Sequence, residues 1–159
     1  MCRFLAQVLE GLAFMHGSRV IHRDLKCDNV LIDSATGDVK IADFGTAKDV
    51  ATATMTARGA RTVVGTPLFM APEVIAPLAS EEEIARDDVG YGTKADVWSL
   101  GILACEMLDR GKMPWPKFPN VVDLFVHIGG ANGVPIIPEG LGADAVDFIS
   151  QCCQRDPAL

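Results

Sequence analysis

Between Asp24 and Asp43 the sequence gathers two carboxylates, a lysine and an amide whose types suit one another. The octet His22-Arg23-Asp24-Leu25-Lys26-Cys27-Asp28-Asn29 is followed, nineteen positions after Asp24, by Asp43-Phe44-Gly45. A carboxylate such as Asp24 can take a proton from a hydroxyl, help that is worth about 10²–10⁴-fold as general-base catalysis. Lys26 is a point charge on a flexible stem, suited to a phosphate oxygen. Asn29 and Asp43 offer oxygen atoms of the kind that the hard cation Mg²⁺ takes, in the small number it takes from protein. Singly, each aspartate reads more simply as a cap or a turn former. The four together, at this spacing, argue for one site.

The octet resembles the H-R-D-L-x-x-x-N catalytic loop of protein kinases, and Asp43-Phe44-Gly45 resembles their D-F-G. Gly65-Thr66-Pro67-Leu68-Phe69-Met70-Ala71-Pro72-Glu73 is similar to the stretch ending in A-P-E, so that residues 43–73 form the activation segment. The resemblance implies transfer of the ATP γ-phosphate to a protein hydroxyl, a reaction in which the protein positions the groups and neutralises developing charge. It makes Asp24 the base, Lys26 the contact to the transferring phosphate, and Asn29 and Asp43 the Mg²⁺ ligands; Lys26, Asn29 and Asp43 together bind the nucleotide. Thr66 resembles the threonine that touches the catalytic Asp and Lys and helps to admit Ser/Thr substrates, and Asp24-Leu25-Lys26 points the same way. Arg23 is expected to pair with a phosphate on the activation segment. Of the acceptors Thr52, Thr54, Thr56 and Thr62, the resemblance selects Thr62, three before Gly65; an unmodified loop threonine is the plain alternative. His22, Phe44, Gly45, Glu73 and Asp96 are expected to be structural, with Asp96 anchoring the backbone of the catalytic loop.

The likeness goes further, to the MAP kinase kinase kinase branch, through Pro114-Trp115, Leu124-Phe125-Val126-His127-Ile128-Gly129, Ile137-Pro138-Glu139-Gly140-Leu141 and Cys153-Gln154-Arg155-Asp156-Pro157. It implies a protein substrate, itself a downstream kinase. It also has departures. The Gly-rich phosphate loop, the V-A-I-K lysine and the helix glutamate of the family's small N-terminal lobe find no match here. The expected fold is therefore a kinase-like large C-terminal lobe over residues 1–159, mainly α with a small β-hairpin, the N-terminal lobe being the missing partner. The family arginine that pairs with the glutamate of A-P-E is expected just past Leu159. On this reading the isolated chain transfers little phosphate. A non-catalytic docking or decoy module is the alternative.

The elements that must position these residues are legible in outline. Leu5, Val8, Leu9, Leu12 and Met15 fall at helical spacing over residues 1–15, ahead of His16-Gly17. Val30-Leu31-Ile32 and Val39-Lys40-Ile41 flank the turn-rich 33–38, which predicts a hairpin with Asn29 at its entry and Asp43 just past its exit. Residues 46–64 show neither period and read as a loop. A helix over about 94–108 is apolar nearly all round, the mark of a buried central helix. Asn120 with Asp123 predicts a capped short helix, and Ala145, Phe148, Ile149 and Cys152 a last one near 143–153. Gly129-Gly130-Ala131-Asn132-Gly133 lacks phosphate-cradle spacing and reads as a turn.

Composition bounds the rest. Of the 159 residues 49% are hydrophobic and 22% charged, which suits one packed core rather than a disordered chain. The net charge of −7 owes much to Glu81, Glu82, Glu83, Asp87 and Asp88, an acidic insertion over 80–88 relieved only by Arg86. That balance gives no nucleic-acid or anionic-membrane surface, and the longest apolar run, 97–108, is too short to cross a bilayer. Five cysteines without C-x-x-C or Cys/His metal spacing read as small, mostly buried side chains in a reducing compartment, so a cytoplasmic location is expected.

Overall fold

A computed structural model describes residues 2–49, 65–75 and 92–157. Thr52, Thr54, Thr56, Thr62 and the acidic stretch 80–88 lie outside the described residues. Helix α1 (Cys2–Gly17) buries Val8, Leu12 and Met15 and half-buries Leu5. Leu9, expected on the same face, is 45% exposed. It sits at the margin of the stripe that α1 turns toward Val20–Ile21, Val39–Ile41 and the central helix. The hairpin is β2 (Val30–Ile32) antiparallel to β3 (Val39–Ile41), with Val30 opposite Ile41 and Ile32 opposite Val39. Gln7 of α1 ties helix and hairpin together: its Oε1 accepts from Val39 N at 3.0 Å. The connecting turn is held by the Asp33 carboxylate, which accepts from Ala35 N at 2.8 Å.

Ahead of the hairpin, β1 (Val20–Ile21) pairs antiparallel with β4 (Lys48–Asp49). The sequence reading placed 48–49 in a loop. A two-residue strand carries no period to detect, and here backbone pairing with a distant segment forms it. Beyond β4 come a one-turn 3₁₀ segment, Pro67–Phe69, and the short helix α2 (Pro72–Ile75).

The core is organised on α3 (Thr93–Leu108), whose Trp98, Leu100, Ile102, Leu103, Ala104 and Cys105 are all at most 1% exposed. Its neighbour α5 (Ala143–Cys152) comes close at Gly101, where an added Cβ would run into Cys153 Sγ and lie 2.8 Å from Cys152 Cβ. Between them in sequence, α4 (Val121–Gly129) starts on Asn120, whose Oδ1 accepts from Asp123 N at 3.0 Å. The carbonyls at its other end are gathered by Arg155, which donates to Ile128 O (2.9 Å), Gly133 O (2.8 Å) and Gly129 O (3.2 Å). This is a cation at a helix C-terminus, where the backbone dipoles favour positive charge. No helix among the described residues is long and apolar enough to cross a membrane.

Candidate active site

The loop between β1 and β2 begins with an unfavourable backbone. Arg23 has φ of +67°, in the left-handed region, at a cost of about 1–2 kcal/mol for a residue with a Cβ. The hold on it comes from Asp96, 1% exposed in the first turn of α3. Asp96 Oδ1 accepts from Arg23 N at 2.9 Å, and Oδ2 accepts from His22 N at 2.9 Å. His16 Nε2, at the end of α1, lies 2.8 Å from the same Oδ2. Three donors thus surround one buried carboxylate, the condition under which a buried charge is tolerable.

His22 is itself fully buried. Its Nε2 donates to Ala42 O at 3.0 Å and its Nδ1 accepts from Asp24 N at 3.3 Å, which fixes one tautomer by its neighbours. Its ring meets Phe44 edge-on, centroids 5.6 Å apart. His22 therefore bridges the octet and the Asp43-Phe44-Gly45 turn. Arg23 makes a second bridge: its Nε donates to Thr46 O at 2.6 Å, and Thr46 Oγ1 donates back to His22 O at 3.1 Å.

Asp24 faces the far segment. Its Oδ1 accepts from Thr66 Oγ1 at 2.8 Å; its Oδ2 lies 3.1 Å from Lys26 Nζ and accepts from Asn29 Nδ2 at 3.3 Å. Lys26 Nζ also donates to Thr66 Oγ1 at 2.9 Å. Asp24, Lys26 and Thr66 thus close a triangle of hydrogen bonds between segments 40 residues apart. An ionised carboxylate offers about four acceptor sites, so three donors leave Asp24 capacity for one more hydroxyl. Gly65 makes the closure sterically feasible. At φ of +111°, a Cβ there would lie 2.7 Å from Arg23 O.

Asn29 is 6% exposed, and its Nδ2 donates to Asp24 O at 2.8 Å, which commits the amide nitrogen and leaves Oδ1 for other use. Asp43, at φ of +62°, uses Oδ1 to accept from its own Gly45 N at 3.3 Å. Each side chain keeps one oxygen. That donor set fits Mg²⁺, which takes one or two protein oxygens and completes its shell with phosphate and water. Fittingly, no cluster of three or more His, Cys, Asp or Glu able to hold a metal occurs among the described residues. Phe44 is 53% exposed beside this group.

Glu73 opens α2 half-buried. Burial raises its pKa above the usual carboxylate value, and the positive charge of Arg155 offsets part of the rise. The hydrogen bonds of Arg155 themselves go to backbone carbonyls. Thr62 is outside the described residues.

The protein kinase domain family model matches residues 1–159. This chain belongs to the protein kinase domain family. Over 153 residues it is 39% identical to mitogen-activated protein kinase kinase kinase 2 of Arabidopsis thaliana, covering 96% of this chain and 21% of the relative. It is 36% identical over 154 residues to mitogen-activated protein kinase kinase kinase A of Dictyostelium discoideum, covering 97% and 15%. To mitogen-activated protein kinase kinase kinase 3 of Homo sapiens it is 39% identical over 147 residues, covering 92% and 21%. The chain spans about a fifth of the length of such relatives. It resembles the Ser/Thr kinases of the MAP kinase kinase kinase group, and the mainly helical kinase fold with its small antiparallel sheets is what the structure shows.

Sequence reasoning missed several residues that hold this candidate site. His16 extends the apolar stripe of α1 as a polar residue one turn after Leu12, a signal that could have marked it. Ser99, whose Oγ donates to Phe69 O at 2.8 Å, carries no local signal, and Trp115 entered only through the Pro114-Trp115 resemblance, with no role at the site. Glu106 of α3, whose negative charge adds to the effect of burial in pushing the Cys27 thiol up to about 12, likewise carries no local signal.

Proposed function

We propose that this chain is the catalytic and substrate-holding part of a protein serine/threonine kinase that phosphorylates another kinase in a MAP kinase cascade. The observation that carries the reading is the triangle of Asp24, Lys26 and Thr66. It puts a carboxylate with spare acceptor capacity beside a hydroxyl-bearing turn and a fixed ammonium. Asp24 takes the proton of the substrate Ser or Thr hydroxyl on the remaining lone pair of Oδ1. Thr66 orients that oxygen, and Lys26 supplies positive charge where the phosphoryl oxygens gather. Asn29 and Asp43 would hold Mg²⁺, which neutralises phosphate charge when bound with ATP. The names of the relatives support the cascade: a kinase kinase kinase acts on a kinase kinase.

Phosphate on Thr62 pairs with Arg23 and orders the activation segment; Thr62→Ala with unchanged activity in the natural protein would sink that part. The 159-residue chain by itself transfers negligible phosphate, because positioning of ATP phosphates in kinases also needs the Gly-rich loop and its lysine. The thiols of Cys27, Cys105, Cys152 and Cys153, free in the structure, agree with a cytoplasmic location. The deciding experiment is transfer of labelled γ-phosphate to a MAP kinase kinase by the natural protein. Asp24→Asn should lower kcat by about 10²–10⁴-fold. Undiminished transfer by that variant would refute the assignment of the base.

A further inference from the structure

The turn that carries Thr66 is held at three of four consecutive residues. Thr66 is bonded to Asp24 and Lys26, and the Phe69 carbonyl accepts from Ser99 Oγ of α3. The third hold comes from further away. The indole Nε1–H of Trp115, 47 residues along the chain, donates to Leu68 O at 2.8 Å. Trp115 is 7% exposed, and its ring lies edge-on to His127 of α4, with centroids 6.1 Å apart and planes at 81°. His127 in turn meets Phe118 at 5.1 Å. The ring is thereby fixed from the α4 side while its N–H reaches the turn.

The second tryptophan supplies the contrast. Trp98 is 1% exposed, and its indole N–H has no partner among the described residues. Of two buried indoles, one leaves its donor unused while the other aims it at the segment that faces the substrate hydroxyl. A buried donor that finds a carbonyl in a one-turn 3₁₀ segment restricts where that segment can sit.

We propose that Trp115 is a positioning residue for the protein substrate. By pinning the Leu68 carbonyl it keeps the Pro67–Phe69 turn, and with it Thr66, against Asp24, and His127 keeps the indole in line for that bond. The inference rests on the kinase reading and adds a specificity to it. The turn reaches the nucleotide side through the Thr66 bond to Lys26, whereas the turn itself faces the substrate hydroxyl, so the larger effect falls on the protein substrate.

The test uses Trp115→Phe in the natural protein, with Trp98→Phe as its match. Both exchanges remove an indole N–H and the same ring volume, but only the first removes a hydrogen bond. Loss of that bond should raise KM for a MAP kinase kinase substrate about fivefold while KM for ATP stays within about twofold. Trp98→Phe should leave the ratio of the two KM values where it was. A purely structural role predicts that kcat falls with the folded fraction in both variants while neither KM moves, and that result would overturn the proposal.

A second readout needs no catalysis. The indole N–H resonances of Trp98 and Trp115 are assigned in the natural protein by the two Trp→Phe variants. Thr66→Ala, which unties the turn from Asp24, should speed hydrogen exchange at the Trp115 indole and spare that of Trp98, because coupling between two sites is reciprocal. An unmoved Trp115 resonance would overturn the proposal. A wild-type protein that transfers no phosphate would defeat the kinase reading instead, and the indole exchange would then decide this one.

Discussion

Asp96→Asn tests whether the catalytic loop keeps its shape by itself or is held from α3. The exchange conserves volume and removes only charge and one acceptor. Asp96 Oδ2 receives His22 N and lies within hydrogen-bond reach of His16 Nε2, and Oδ1 receives Arg23 N. In its better rotamer the asparagine would place its oxygen at the Oδ2 position, keeping two donors, and turn its NH₂ toward Arg23 N–H. One charge-assisted hydrogen bond, worth about 1.5–3 kcal/mol, is then lost, and a buried N–H is left facing another donor at a further cost of about 1–3 kcal/mol. The sum, about 2.5–6 kcal/mol, brackets the cost of removing one partner from a buried charge pair, about 3–5 kcal/mol. It would consume much of the net stability of a typical domain, about 5–15 kcal/mol. The lost bond is also the one that holds Arg23 at its positive φ, so the loop should relax as stability falls. Urea unfolding followed by the fluorescence of Trp98, two residues along α3, gives the stability, and amide hydrogen exchange at His22 and Arg23 gives the local effect. A variant within about 0.5 kcal/mol of the parent, with undiminished protection of both amides, would refute the claim that Asp96 shapes the loop.

Three further outcomes follow from the same geometry. Gly65→Ala should cost about 2 kcal/mol or more, from a left-handed φ and a Cβ placed 2.7 Å from Arg23 O, and should loosen the contact of Thr66 with Asp24; an unfolding midpoint equal to the parent would contradict this. Burial pushes the thiols of Cys27 and Cys105 up to about 12 and Cys152 up to about 11, and raises Cys153 as well. Since the thiolate is the reactive form, alkylation by iodoacetamide at pH 8 should be far slower for these four in the native chain than in urea, read by mass spectrometry; equal rates would refute their burial. Glu73 has a raised folded pKa, so between its unfolded and folded values the native state binds the extra proton, and stability falls as pH rises through that window. Glu73→Gln should flatten that fall, and an unchanged pH profile of the unfolding midpoint would show that the carboxyl is not desolvated.

What was legible in the sequence, and what was not, follows chain distance. The Asp24, Lys26 and Asn29 chemistry lies within one octet, and the hairpin that brings Asp43 back is local, so spacing alone could suggest the group. The central helix and the Asn120 cap were legible because periodicity and capping are local properties too. Leu9 shows where a pattern overreaches: helical spacing marks a stripe, but the elements packed against it decide its margin. The Val20–Ile21 pairing with Lys48–Asp49 was beyond reach, since two residues have no period. The contacts that impose geometry on the site span long stretches of sequence. His16 meets Asp96 across 80 residues, Asp96 meets His22 across 74, and Trp115 meets Leu68 across 47.

That division has a physical cause. The octet and the Asp43 turn carry the chemistry but cannot hold their own conformation, because Arg23 and Asp43 both lie at positive φ, a strain that unsupported chain would release. Support must come from groups that the strain cannot pull with it, and these belong to the rigid helices or are packed against them. Asp96 and Ser99 stand on the buried α3, His16 ends α1, and Trp115 is braced by α4. Of these only Asp96 had been given a structural role beforehand, through the family resemblance. A serine, a histidine or a tryptophan is unremarkable wherever it falls, until the fold shows what its one polar atom is holding.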